Sequence, residues 1–250
     1  MIFTLAAREV RSLFLSPLAW CILGVSLFIL GYLFLSQADM YLQAQSRLVL
    51  MDNAPGVTEV VVMPVFANAA VILLLVMPML TMRLISEERR NQTLCLLFSA
   101  PISMTEIILG KYLGIMTLIF VLLLSIMLMP LSLLVGSSLD WGMLFSGFIG
   151  LTIVLASFAA VGLYMSTLTV QPVVAAVSTF GLLLLLWIID WAGTSQDQAS
   201  NVLQYLSLLR HYQSLLKGVI NSQDIVYYLL FIVTFLVLSI RRIDADRLQH

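Results

Sequence analysis

Six stretches of this chain are each long and apolar enough to cross a bilayer, and few folds accommodate that pattern. They run over residues 17–36, 60–82, 107–136, 143–168, 173–191 and 225–240. A hydrocarbon core of about 30 Å needs about 20 apolar residues in a helix. Lipid offers no partners to backbone N–H and C=O groups, so runs of this length must satisfy them internally as helices. The fold class is therefore all-α integral membrane, with 1–250 read as a single transmembrane domain. Composition agrees: 61 % of the 250 residues are hydrophobic and 10 % are charged, where a soluble domain carries about 25 % charge. The third stretch exceeds the hydrocarbon thickness, and Pro130 predicts a kink near its end. The sixth is short but is extended by Tyr227, Tyr228 and an Arg241–Arg242 anchor.

Basic residues set the orientation. An even number of spans puts both ends of the chain on one side, with Arg8, Arg11, Arg83, Arg89, Arg90, Lys111, Arg241, Arg242 and Arg247. The other side receives Arg47, Arg210 and Lys217. The positive-inside rule then predicts cytoplasmic termini. The first span exceeds a signal-peptide core and lacks a small-residue cleavage site, so it is expected to be retained. Outside the membrane, the segment 200–218 carries Val202, Leu206, Leu209, Leu216 and Val219 at helical spacing. Gln204, His211, Ser214 and Lys217 occupy much of the opposite side. This predicts an amphipathic helix on the outer face, with Gly218 as its C′ residue.

Several function classes lose support. No Asp, Glu, Lys, Arg or His lies between Tyr112 and Leu139, or between Trp141 and Ile189. Ion-driven carriers bury such groups to handle the coupling ion. A membrane enzyme needs a cluster of acids, histidines or a nucleophile with its base. His211 and His250 are isolated in sequence and are expected to be ordinary surface residues. Cys21 and Cys95 form neither a disulfide framework nor a metal-ligand spacing. With a net charge of −1 there is no electrostatic footprint for nucleic acid. The one Gly-Lys pair, Gly110–Lys111, is followed by Tyr112, so it makes no G-x-x-x-x-G-K-[ST] phosphate loop. Catalytic, cofactor and metal residues are not assigned in this chain.

The charges that remain gather in one place, "RLISEERRNQTLCLLFSAPISMTEIILGKYLG", residues 83–114. Ser86 reads as an N-cap, with Glu87 and Glu88 in the first turn at the positive end of the dipole. The helix is expected to run over 87–98, with Leu94, Leu97 and Phe98 on one stripe, and to end before Pro101. Ser103 and Glu106 then form a capping box for the next span, with Ile102 stapled to Ile107. A loop that only fixes orientation needs no such pair of caps.

This stretch resembles the membrane subunits of ABC type-2 transporters. Their second and third spans are joined by E-x-R-x-x-G-T-x-E-x-L-x-x-x-P-[IV]-S-x-x-E-[IV]-x-x-G-K. Glu87 or Glu88, Arg89, Thr93, Leu94, Leu97, Pro101, Ser103, Glu106, Gly110 and Lys111 match it. Gln92 stands where glycine is common, and Cys95 where glutamate is. The opening "MIFTLAAREVRSLFLSP" is similar to the family's N-terminal amphipathic helix. The closing segment resembles the gliding-motility branch (GldF-like permeases), with the nitrous-oxide-reductase maturation branch (NosY-like) nearest to it.

The resemblance implies a six-span permease in the bacterial inner membrane, paired with a second copy, a related permease or an auxiliary membrane subunit. It implies that ATP and Mg are bound by a separate cytoplasmic ABC ATPase and not by this chain. It also implies a coupling helix whose Glu87, Glu88, Arg89, Arg90, Gln92, Thr93, Leu94, Leu97 and Phe98 meet that ATPase. A mechanical or assembly role, with nothing carried across, is the second reading.

Overall fold

The computed structural model describes residues 2–48, 56–93, 103–135, 137, 139–192, 205 and 207–247. Helix α1 covers Ile2–Leu15 and α2 covers Pro17–Leu48. A π-helical turn at Thr58–Val62 leads into α3, Met63–Thr81. A short α4, Ser86–Arg90, precedes α5, Met104–Ser132. Then come α6 (Trp141–Leu168), α7 (Pro172–Ala192), α8 (Leu208–Leu216) and α9 (Ser222–Arg247). Six of these, α2, α3, α5, α6, α7 and α9, are long and apolar enough to span a bilayer. The protein is an all-helical membrane protein.

The bundle is organised around α6, which packs against α3, α5, α7, α8 and α9. Of its apolar window 72 % is buried, against 17 % for α7, so α6 is the axis and α7 an exposed flank. Between helices in lipid the attraction is mainly close packing, which small residues permit. Ala156, Ala159, Ala160 and Gly162 supply this along α6. Asp140 caps its start, accepting from Gly142 N at 2.9 Å and Met143 N at 3.3 Å.

Several boundaries differ from expectation. The first span continues well past residue 36, to Leu48, and its added turns are polar; Gln43 donates to Asp39 at 2.8 Å. The third span, expected to reach 136, has its α-helix end at Ser132, two residues after Pro130, and closes in a 3-10 turn at Leu133–Val135. A proline this near a C-terminus forfeits one ladder bond and little else.

The segment expected on the outer face departs most. Its described helix is Leu208–Leu216, and it is drawn into the bundle against α6 and α7. Leu208, Tyr212 and Leu215 are fully buried, while Val219, expected on the apolar stripe, is exposed. His211, expected at the surface, is buried beside Asp224 at 2.6 Å. That partner is what makes burial affordable for an imidazole. Burial also pushes the Tyr212 phenol well above its ordinary range, and its hydroxyl donates to Phe66 O at 2.8 Å. The C-terminal expectation holds. Gly218 has φ +81°, Gly218 N donates to Leu215 O and Val219 N to Ser214 O, both at 3.2 Å. These two bonds make a Schellman motif with Gly218 at C′. Val202, Gln204 and Leu206 lie outside the described residues.

Candidate functional site

The charged stretch lies at the end of the bundle that also holds α1 and the end of α9. Its first element, α4, begins directly below α3. Ile85 N and Ser86 N both donate to Ser166 Oγ on α6 at 3.0 Å, and that hydroxyl donates to Met82 O at 3.1 Å. Two of the helix's orphan donors are thus satisfied by a residue 80 positions away. Ser86 is therefore not the cap. It is buried inside the first turn, its own hydroxyl donates to Met82 O, and the cap position, Ile85, makes no side-chain cap bond.

The expected helix over 87–98 stops at Arg90. Gln92 N donates to Arg89 O and Thr93 N to Glu88 O, and Gln92 has φ +55°. This is a second Schellman motif, with Gln92 at the C′ position where a left-handed backbone is required. The position at which the resembling family prefers glycine is one where an L side chain is strained. Leu94, Leu97, Phe98, Cys95, Pro101 and Ile102 lie outside the described residues. The capping box is present as expected: Glu106 N donates to Ser103 Oγ and Ser103 N to Glu106 Oε2, each at 3.2 Å.

The charges divide into two sets. Glu88 and Arg89 turn inward. Lys111, only 5 % exposed, sits between two carboxylates, 2.9 Å from Glu88 Oε1 and 3.3 Å from Glu9 Oε2. Glu9 reaches it because α1 rests directly on α5. A Cβ at Gly110 would lie 2.8 Å from Leu5 Cβ, and one at Gly114 2.7 Å from Glu9 Cβ. Arg89 pairs with Asp246 of α9, which also lies 3.7 Å from Arg242. Four chain segments are therefore tied together under the bundle. Sequence reasoning assigned Glu88 and Arg89 to an outside partner and missed this network. Its only local signal was that Lys111 stood alone in an apolar span.

Glu87, Arg90, Asn91, Gln92 and Thr93 turn outward and are exposed, as is Arg83. Between them and the turn at Pro172 and Val173 lies an open cavity of about 300 Å³, lined also by Met82. Its charged lining is two guanidiniums and one carboxylate, with the Asn91 amide beside them. Among the described residues no group of three or more His, Cys, Asp and Glu side chains gathers to hold a metal ion. Chemically, the described residues of this face offer charged and amide groups suited to recognition.

Six spans around a buried axis, with a shaped charged face at one end, define a polytopic membrane protein. Residues 3–247 match the family described as "ABC-2 family transporter protein". The chain belongs to this family. The match spans nearly its whole length and does not distinguish the gliding-motility branch from the nitrous-oxide-reductase maturation branch. No individual curated protein matches the chain significantly.

Proposed function

We propose that this chain is the permease subunit of an ATP-driven transporter, and that its outward-turned residues dock a separate cytoplasmic ABC ATPase. In this reading α1, the end of α9 and the 83–93 stretch face the cytoplasm of a bacterial inner membrane, as the basic asymmetry favours. ATP and Mg belong to the ATPase, and this chain hydrolyses nothing. A second permease or an auxiliary membrane subunit completes the transporter.

The observation that carries the reading is the division of charge around α4. A topology signal needs only positive charge near a membrane edge, and it needs no built cavity. Here Glu87, Arg83, Arg90 and Asn91 are presented around a concavity of about 300 Å³ while Glu88 and Arg89 anchor the element from behind. The lining suits an acidic and apolar protrusion from a soluble protein, since complementary charge steers and fixes register at such contacts. Leu94, Leu97 and Phe98 are proposed to continue the same contact.

The anchor also supplies the mechanism. Force on the exposed turn passes through Glu88 to Lys111 of α5 and to Glu9 of α1, and through Arg89 to Asp246 of α9. Close-packed helices respond as bodies. Export is the proposed direction, with an amphipathic or lipid-linked cargo favoured over an ion by the scarcity of ionisable groups in the spans.

The test exchanges charge only on the exposed face. Glu87→Lys with Arg90→Glu should leave insertion and thermal stability unchanged while the ATPase no longer co-purifies. Retention of the ATPase by that variant would contradict the docking assignment.

A further inference from the structure

A second cavity, of about 260 Å³, lies on the inner side of Arg83 and Glu87, between α1, the start of α2 and the end of α3. Its position marks a membrane boundary. Amphipathic α1 gives way there to apolar α2, and Trp20, half exposed, donates its indole N–H to Phe14 O at 2.7 Å. Tryptophan is enriched at headgroup depth, where its ring meets the apolar edge and its N–H a polar partner. Leu13 and Leu80 form part of its apolar floor, and Met79, 46 % exposed, carries that floor onto the lipid-facing side of α3.

The polar lining is one cation, two carboxylates and the Ser12 and Ser16 hydroxyls. Glu9 is already engaged by Lys111. Arg83, in the turn before α4, and Glu87, on α4, make no ion pair with each other or with any described residue. Two opposite charges with no ion-pair partner among the described residues therefore share the rim of an amphipathic hollow.

We propose that this cavity holds the headgroup of one phosphatidylethanolamine molecule. Arg83 takes the phosphate, for which a guanidinium fork is suited. Glu87 accepts hydrogen bonds from the primary ammonium, and the acyl chains leave past Leu80 and Met79. Phosphatidylglycerol offers no cation to Glu87 and brings its negative charge toward two carboxylates. Phosphatidylcholine carries a quaternary ammonium with no N–H to donate. The site thus selects a zwitterionic lipid with a primary amine. The inference shares Arg83 and Glu87 with the proposed docking face, and titration without an ATPase tests it separately from that reading.

The experiment uses the full chain, purified in detergent without an ATPase, delipidated and titrated with dioleoyl phosphatidylethanolamine, phosphatidylglycerol or phosphatidylcholine. Native mass spectrometry counts bound lipid. One phosphatidylethanolamine should be retained about tenfold more tightly than either other lipid. Glu87→Ala should erase that preference, Arg83→Ala should weaken retention of all three lipids, and Ser12→Trp, at an exposed position beside the hollow, should block binding while the protein keeps its melting temperature. Equal retention of the three lipids, a preference for phosphatidylglycerol, or a preference untouched by all three variants would overturn the assignment.

Discussion

Lys111 is the residue on which the charged end turns. It is nearly buried and holds two carboxylates from different segments, so removing its charge strands both of them. Lys111→Met should destabilise the protein by about 2–3 kcal/mol, below the usual cost of an orphaned buried charge because Glu9 and Glu88 keep some exposure. Chemical denaturation in detergent measures this. Adding Glu9→Gln and Glu88→Gln should restore most of the loss; no restoration would mean that the lysine acts through packing. Gln92 behaves oppositely. At φ +55° it stands in a glycine conformation, so Gln92→Gly should stabilise α4 by about 1 kcal/mol. Slower amide exchange at Asn91 and Thr93 is the readout. The Ser103–Glu106 box was legible in sequence because both partners lie within one turn. The Lys111 network was not, because Glu9 and Glu88 reach it across 102 and 23 residues. Ser86 was misread for the same reason: a serine before two glutamates looks like a cap, and the actual cap is Ser166 on another span.

At the scale of elements, α8 separates what pattern shows from what packing decides. Its Gly218 stop was readable, since a left-handed C′ position follows from local bonding. Its burial was not. Of the expected stripe Leu216 is buried, Leu209 half-buried and Val219 exposed, while Leu208, His211, Tyr212 and Leu215 are buried without having been expected to be. Two distant groups set that face: Asp224 partners His211, and Gly150 leaves space for Leu215. A Cβ at Gly150 would lie 2.9 Å from Leu215 Cβ. Gly150→Leu should therefore displace α8 from α6. Leu215→Cys should resist an impermeant thiol reagent in the otherwise native protein and react once Gly150→Leu is added. Gln213→Cys, on the exposed side of the same helix, should react in both backgrounds. Protection of Leu215→Cys in both would mean that α8 is held by other contacts.

Across the whole molecule, the six spans were legible because lipid imposes a length and a polarity that soluble solvents do not. What lipid leaves open is how spans stack, and no apolar run announced α6 as the axis or α7 as the flank. The charged end shows the same division. Its location was plain in the sequence, while the split between inward anchors and outward contacts depends on helices that meet only in the fold. The central claim is that the outward set docks an ABC ATPase. A photo-crosslinking residue at Asn91 tests it most directly, with a second at Trp141, exposed at the opposite end of the bundle, as the control. Crosslinking in intact cells should join the Asn91 position, and not the Trp141 position, to a protein that carries a G-x-x-x-x-G-K-[ST] loop. An adduct to that protein from Trp141, or none from Asn91 in a functional transporter, would contradict the account.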